Sequence, residues 1–141
     1  MSPQIVVDAS VAVKWVIAEQ DSSLAEALSG RQMTAPSLLL IECGNALLRR
    51  ARAGDFAAEA VAGKVRALRA APVRLVRDEQ HLEAAIALAT QLRHSLYDCL
   101  YLALALAEQV RLITADQRFV GTVRRHRALA GSVVLLAETA H

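Results

Sequence analysis

Four acidic residues hold most of the chemical potential of this sequence: Asp8, Glu42, Asp98 and Asp116. Asp8 closes the run Gln4-Ile5-Val6-Val7, and Asp116 follows Arg111-Leu112-Ile113-Thr114, each just before a helical pattern. Glu42 and Asp98 interrupt two of the most hydrophobic helical stretches. Carboxylates enter such surroundings only when something pairs with them. If the fold gathers all four, their mutual repulsion calls for a cation. Three or four carboxylates without His or Cys suit a hard ion, Mg²⁺ or Mn²⁺, better than zinc. Such ions bind phosphate oxygens, lower the pKa of bound water and steady a leaving oxygen. The natural chemistry is therefore phosphodiester hydrolysis.

Each acid also has a purely structural account. Asp8 can cap the helix that begins at Ala9. Asp98 fits a capping box with Ser95, and Asp116 an Asx-turn. Glu42 is different, because it lies inside a helix, six residues past Pro36, where no cap is needed. Glu42, Asn45, Arg49 and Arg52 recur as one helical stripe. Functionally, the stripe makes Glu42 a metal ligand, Asn45 its hydrogen-bonding neighbour, and Arg49 and Arg52 phosphate contacts. Structurally, it is a solvated face with a Glu–Arg pair.

These residues are positioned by short apolar runs that alternate with longer helical patterns. Strands are expected at Gln4–Val7, Gln32–Ala35, Val73–Val76, Arg111–Thr114 and Val133–Leu136. Helices are expected over Ala9–Ala18, Ser22–Ser29 (capped by Gly30), Ser37–Ala53 (ending at Gly54) and Asp55 to about Ala70. Three more follow: Glu79–Leu92 with Asp78 as cap, Tyr97–Glu108, and Gln117–Arg125. This alternation implies an α/β fold with a parallel sheet and helices on both faces. Such sheets place their sites at the carboxyl ends of the strands, where Asp8 and Asp116 fall.

Bulk properties narrow the class. At 141 residues the chain is most simply one domain, 1–141. The apolar fraction is 55%, but the longest apolar run, Cys99 to Ala107, is far short of a bilayer span. No signal peptide pattern opens the chain, so a cytoplasmic protein without a membrane partner is expected. Cys43 and Cys99 read as small buried hydrophobes. The formal net charge of +2 is weak evidence for a nucleic-acid partner. Of 16 basic residues only Lys14 and Lys64 are lysine, and arginine suits bidentate phosphate contacts. Arg124-Arg125-His126-Arg127 is the densest basic cluster, either an RNA-phosphate grip or a solvated helix end. Tyr97 and Tyr101 are expected in the core, and Trp15 in the core or at a subunit interface, with stacking on a base as its functional alternative. Lys14 has only a remote claim to a place near the acids. His81, His94, His126 and His141 are expected at the surface.

Other α/β chemistries lack their residues. There is no Gly-x-Gly-x-x-Gly and no Walker loop. A receiver-type phosphoacceptor domain wants adjacent acids after the first strand and a late lysine, and neither is present. A haloacid-dehalogenase-type phosphatase wants an Asp two residues after the first, where this chain has Ser10. No spacing suggests a Ser-His-Asp or Cys-His arrangement.

The chain resembles PIN-domain nucleases, and most of all the VapC-type toxins of bacterial toxin–antitoxin pairs. The resemblance is carried by Val7-Asp8-Ala9-Ser10, by Pro36-Ser37 with Glu42 and Asn45, by Ser95-x-Tyr97-Asp98, and by Thr114-Ala115-Asp116 with Phe119. Each motif alone is weak; all four in order are specific and span essentially the whole chain. The resemblance implies a PIN-like three-layer α/β/α sandwich with a five-stranded parallel sheet. It implies an Mg²⁺- or Mn²⁺-dependent endoribonuclease whose acidic site is Asp8, Glu42, Asp98 and Asp116. Asp8, Asp98 and Asp116 are expected to hold one metal, with Glu42 sharing it or helping to hold a second. Ser10 and Thr114 match small hydroxyl residues that orient the carboxylates, and Asn45 matches a polar position on the Glu42 helix. RNA is the implied substrate, a small antitoxin the implied partner and a homodimer the implied assembly. Arg49, Arg52, Arg124 and Arg125 are the RNA-contact candidates. The alternatives are a PIN-like nuclease of RNA maturation or structured DNA, and a non-catalytic α/β binding module whose acids serve only as caps and ion pairs.

Overall fold

The computed structural model describes residues 4–140. Five short strands, β1 (Ile5–Val7), β2 (Met33–Pro36), β3 (Val73–Val76), β4 (Arg111–Thr114) and β5 (Val133–Leu135), form one sheet in the order β3-β2-β1-β4-β5. Every pairing is parallel. Successive side chains point to opposite faces, so each strand feeds two cores. Ile5, Val7, Met33 and Ile113 pack on one face with Leu28 and Leu136. Val6, Leu112 and Val133 belong to the larger core on the other. Both faces are covered, which is why these strands read as continuous apolar runs and not as alternating ones. This is the α/β/α sandwich expected from the sequence.

Among the described residues seven helices supply the outer layers: α1 (Ala9–Ala12), α2 (Ser22–Glu26), α3 (Leu38–Arg52), α4 (Ala60–Arg69), α5 (Leu82–Leu92), α6 (Leu96–Glu108) and α7 (Gln117–Arg124). The helix α6 is the spine of the larger core. Every residue from Cys99 to Ala105 on it is buried, and it packs against β1, β2 and β4. Its apolar character on all sides is thus accounted for within one chain. The order of the strands reverses direction between β1 and β4, which pair as Val7↔Ile113. A crevice opens outside the carboxyl ends of two such neighbours, because their connections leave in opposite directions.

Local expectations needed several corrections. The first helix is shorter than Ala9–Ala18 and tightens into a 3₁₀ turn over Val13–Trp15. Gly54 ends α3 in the left-handed region, φ 92°, as expected. Gly30 does not act in this way; it lies inside a 3₁₀ turn over Ala27–Gly30. The helix expected from Asp55 begins only at Ala60, since Asp55 turns back to pair with Arg50, which also binds Glu19. Asp78 opens a 3₁₀ turn, but its carboxylate caps a different helix: Leu38 N–H of α3 donates to Asp78 Oδ1 at 2.9 Å. Ser37 makes no such bond, so the first turn of α3 depends on a residue 40 positions away. Replacing Asp78 with alanine is expected to lower stability by about 1 kcal/mol in urea unfolding.

Candidate active site

The end of β1 and the end of β4 are stitched together by hydroxyls. Asp8 follows β1 and is 6% exposed. Ser10 Oγ donates to Asp8 Oδ1 at 2.6 Å, and Thr114 Oγ1 donates to Asp8 Oδ2 at 2.5 Å. Each hydroxyl also accepts a backbone N–H: Ser10 takes that of Ala115 across the crevice at 2.9 Å, and Thr114 takes that of Asp116, two residues along the same chain segment, at 3.1 Å. Both hydroxyl protons are therefore committed to Asp8, and the 3.3 Å approach of Ser10 to Thr114 carries no proton of its own. The result is a carboxylate held at both oxygens.

The other three acids arrive from three further elements. Asp116 caps α7, its Oδ1 accepting Phe119 N–H at 3.0 Å. Asp98 sits in the first turn of α6, where Ser95 Oγ accepts its N–H at 3.4 Å. Its carboxylate does not complete the capping box; Oδ2 is 2.6 Å from His94 Nε2. Glu42, half-buried on α3, accepts the Tyr101 hydroxyl at 2.6 Å. Among the described residues Glu42 forms no ion pair with Arg49, while Asn45, Arg49 and Arg52 are exposed, so the stripe is solvated but lacks the Glu–Arg pair. Asp8, Ser10, Glu42, Asn45, Arg49, Asp98 and Asp116 all line one cavity of about 220 Å³.

Electrostatics mark this cavity as short of positive charge. Burial pushes the Asp8 carboxyl up to about 6 against the Ser10 and Thr114 hydrogen bonds, and the charge of Asp98 adds to the rise. Glu42 is raised as well, by burial first, then by Asp98 and Asp78, with Tyr101 and Arg49 opposing. Among the described residues, Arg49 is the single basic one in the lining. The donor set is hard oxygen and its charge is unbalanced, which fits Mg²⁺ or Mn²⁺. Among the described residues, no three His, Cys, Asp or Glu groups already form a metal cage. Capping and ligation are compatible, because each backbone N–H uses one lone pair of an oxygen that has two.

Two residues at the site escaped the sequence reading. His94, expected at the surface, has a side chain only 16% exposed; it holds Asp98 and packs on Phe119 with ring centroids 4.6 Å apart. Its sequence signal was slight, a position four residues before Asp98. Tyr101 is in the core as expected, at 1% exposure, but its hydroxyl reaches the site. Tyr97, also expected in the core, is 59% exposed. Trp15 is partly buried, its Nε1–H donating to Ala25 O at 2.8 Å. Burial pushes the Cys43 and Cys99 thiols up to about 12 and about 11, in keeping with inert core residues.

The remaining basic candidates stand apart from the cavity. Arg52, Arg124 and Arg125 do not line it. Arg124 makes a forked pair with Glu138 at 2.8 and 2.6 Å, which also draws the Glu138 carboxyl down to about 2. Arg125 donates to Thr122 Oγ1 at 3.3 Å. Lys14 is turned away to Glu19 and the Gln20 carbonyl.

Comparison with solved structures finds the same fold in distant proteins. PAE2754 from Pyrobaculum aerophilum aligns with a TM-score of 0.73 at 18% identity, covering 99% of this chain and 97% of its own. The Mycobacterium tuberculosis toxin VapC20, described as cleaving the sarcin–ricin loop, aligns at 0.67 and 17% identity, over 83% and 93% of the two chains. A toxin–antitoxin complex from Klebsiella pneumoniae contains a chain that aligns at 0.63 and 17% identity, over 94% and 97%. No curated protein sequence matches significantly. The family model of the PIN domain matches residues 5–124, a span that contains all four acids and the crevice between β1 and β4. The chain belongs to the PIN domain family of nucleases.

Proposed function

We propose that this protein is a divalent-metal-dependent endoribonuclease and the toxin of a toxin–antitoxin pair. The observation that carries the reading is the convergence of four carboxylates, from four different elements, on one cavity whose only basic lining residue, among the described residues, is Arg49. Asp8, Asp98, Asp116 and Glu42 would hold Mg²⁺ or Mn²⁺. Bound there, such an ion supplies an activated water at neutral pH and neutralises charge on the phosphate. The chain's own residues do the placing. Ser10 and Thr114 fix Asp8, His94 fixes Asp98, and the α7 cap fixes Asp116. Arg49 offers a guanidinium to a phosphate entering the cavity, and Asn45 offers an amide beside it. Arg52 and Arg125 are left for RNA further out.

The toxin assignment draws support from a toxin and a toxin–antitoxin complex in which a chain shares the fold. By the same analogy a small antitoxin and a second copy of the chain are the proposed partners, and the cytoplasm the proposed compartment. No helix among the described residues is long and apolar enough to cross a membrane.

The decisive experiment is sequencing of RNA ends after induced expression, with Asp98→Asn as control. New 5′ ends that vanish in the control establish cleavage, site and target together. Identical ends in both strains would remove Asp98 from the chemistry. Calorimetric titration with Mn²⁺ tests the metal separately: no binding at millimolar ion would leave the acids as caps only.

A further inference from the structure

Glu42 is the acid with the fewest constraints of its own. Its side chain has three torsions, it sits mid-helix where no backbone N–H is free, and Arg49 lies on the same face two turns further along α3. No cation one turn along its own helix can pair with it, since Asn45 and Ala46 stand at those positions. Tyr101 instead reaches it across the seam between α6 and α3. Tyr101 is one turn beyond Asp98 on α6, so one turn of one helix supplies both an acid and the clamp for another. A phenol at 1% exposure needs an acceptor, and here that acceptor is a carboxylate that faces the cavity. Among the described residues, the Tyr101 hydroxyl is the sole hydrogen-bond donor to Glu42, and it occupies only Oε1.

We propose that Tyr101 is a positioning residue, its hydroxyl holding Glu42 Oε1 so that Oε2 faces the cavity and completes the cation-binding set. The inference rests on the metal-dependent reading of the site. It separates Tyr101 from the core tyrosine that it otherwise resembles: the ring serves the fold, and the hydroxyl serves Glu42.

Tyr101→Phe removes the hydroxyl and keeps the ring. The expected result is a Mn²⁺ dissociation constant raised about 10- to 100-fold in calorimetry, with a thermal midpoint close to that of the wild type in metal-free buffer. The same substitution made in a Glu42→Gln background is expected to have no further effect on Mn²⁺ affinity, since the group it positions is gone. Unchanged affinity in Tyr101→Phe, or an equal loss in both backgrounds, would overturn the proposal. A crystal structure of metal-free Tyr101→Phe gives a readout independent of the ion: Glu42 is expected to leave the cavity, and a carboxylate still in place refutes the positioning role. If the wild type itself binds no Mn²⁺, the metal reading fails, and that crystal structure still decides whether Tyr101 places Glu42.

Discussion

Asp8→Asn is expected to lower metal-dependent RNA cleavage by about 10³-fold while leaving the fold in place. Of the four site acids Asp8 alone is held at both oxygens, and it stands at the strand ends where the sheet order reverses. Asparagine removes the charge and keeps the shape. Its carbonyl accepts from one hydroxyl and its amide donates to the other. The freed hydroxyl proton then has a new acceptor within reach, since Ser10 and Thr114 are 3.3 Å apart. The relay rearranges around one amide N–H and leaves the second to the cavity, so the fold of the variant is checked separately from its activity. Single-turnover cleavage of a labelled RNA with Mn²⁺ measures the effect, and circular dichroism checks the fold. A variant that cuts at the wild-type rate would take Asp8 out of the metal set.

The same substitution has a second, opposite consequence for stability in metal-free buffer. The Asp8 carboxyl is raised to about 6 in the folded protein, chiefly by burial, from an ordinary value of 3.8. A raised carboxyl pKa means that the folded state holds its proton more tightly than the unfolded one. That stabilisation is fully present below the unfolded pKa and is lost as pH rises through the folded pKa. Between about pH 4 and pH 7, wild type should lose up to about 3 kcal/mol that the variant, with nothing to titrate at position 8, keeps. Other acids pull the opposite way, Glu19 and Glu138 among them, so the quantity to measure is the wild-type-minus-variant difference. Urea unfolding across that range, with chelator present, yields it. Parallel pH curves for the two proteins would show that Asp8 is not held in a desolvated, electrostatically crowded place. Protein that trades stability for activity at one residue is a familiar feature of functional sites.

The two expected results share one cause. A carboxylate that is costly to keep charged without a cation beside it is the group best placed to gain from one. The site is unfavourable for itself and favourable for an ion, and the pH dependence reads the first property while the cleavage assay reads the second.

How far the sequence alone carried this varies from residue to residue. The strands β3 and β4 fell within the expected bounds, because a short apolar run between turn residues has few other uses. The acids could be picked out because each broke an apolar pattern, and Glu42 because no cap could explain it. Ser10 and Thr114 were legible only through family resemblance, since a small hydroxyl near a strand end is common. His94 and Tyr101 were not legible as site residues. His94 is four residues before Asp98, a local spacing too common to mark it, whereas Tyr101 meets Glu42 only through the packing of α6 on α3, 59 positions away. Asp78 misled for the same reason: it looks like the cap of the helix that follows it, and it caps α3, 40 residues earlier. Tyr97 misled in the other direction, an aromatic in an apolar helix that nonetheless faces outward.

What the sequence determined by itself was the period of each segment, hence an α/β fold with a two-sided parallel sheet, and the identity of four acids that apolar surroundings would not otherwise tolerate. What only the tertiary structure decided was which groups hold those acids and how. Hydrogen bonds are short and directional, and those at this site join residues up to 106 positions apart. Hydrophobic periodicity is a property of neighbours along the chain, and so it survives in the sequence. The partners of a buried carboxylate are set by how whole elements pack, and so they appear only once the strands and helices are in place.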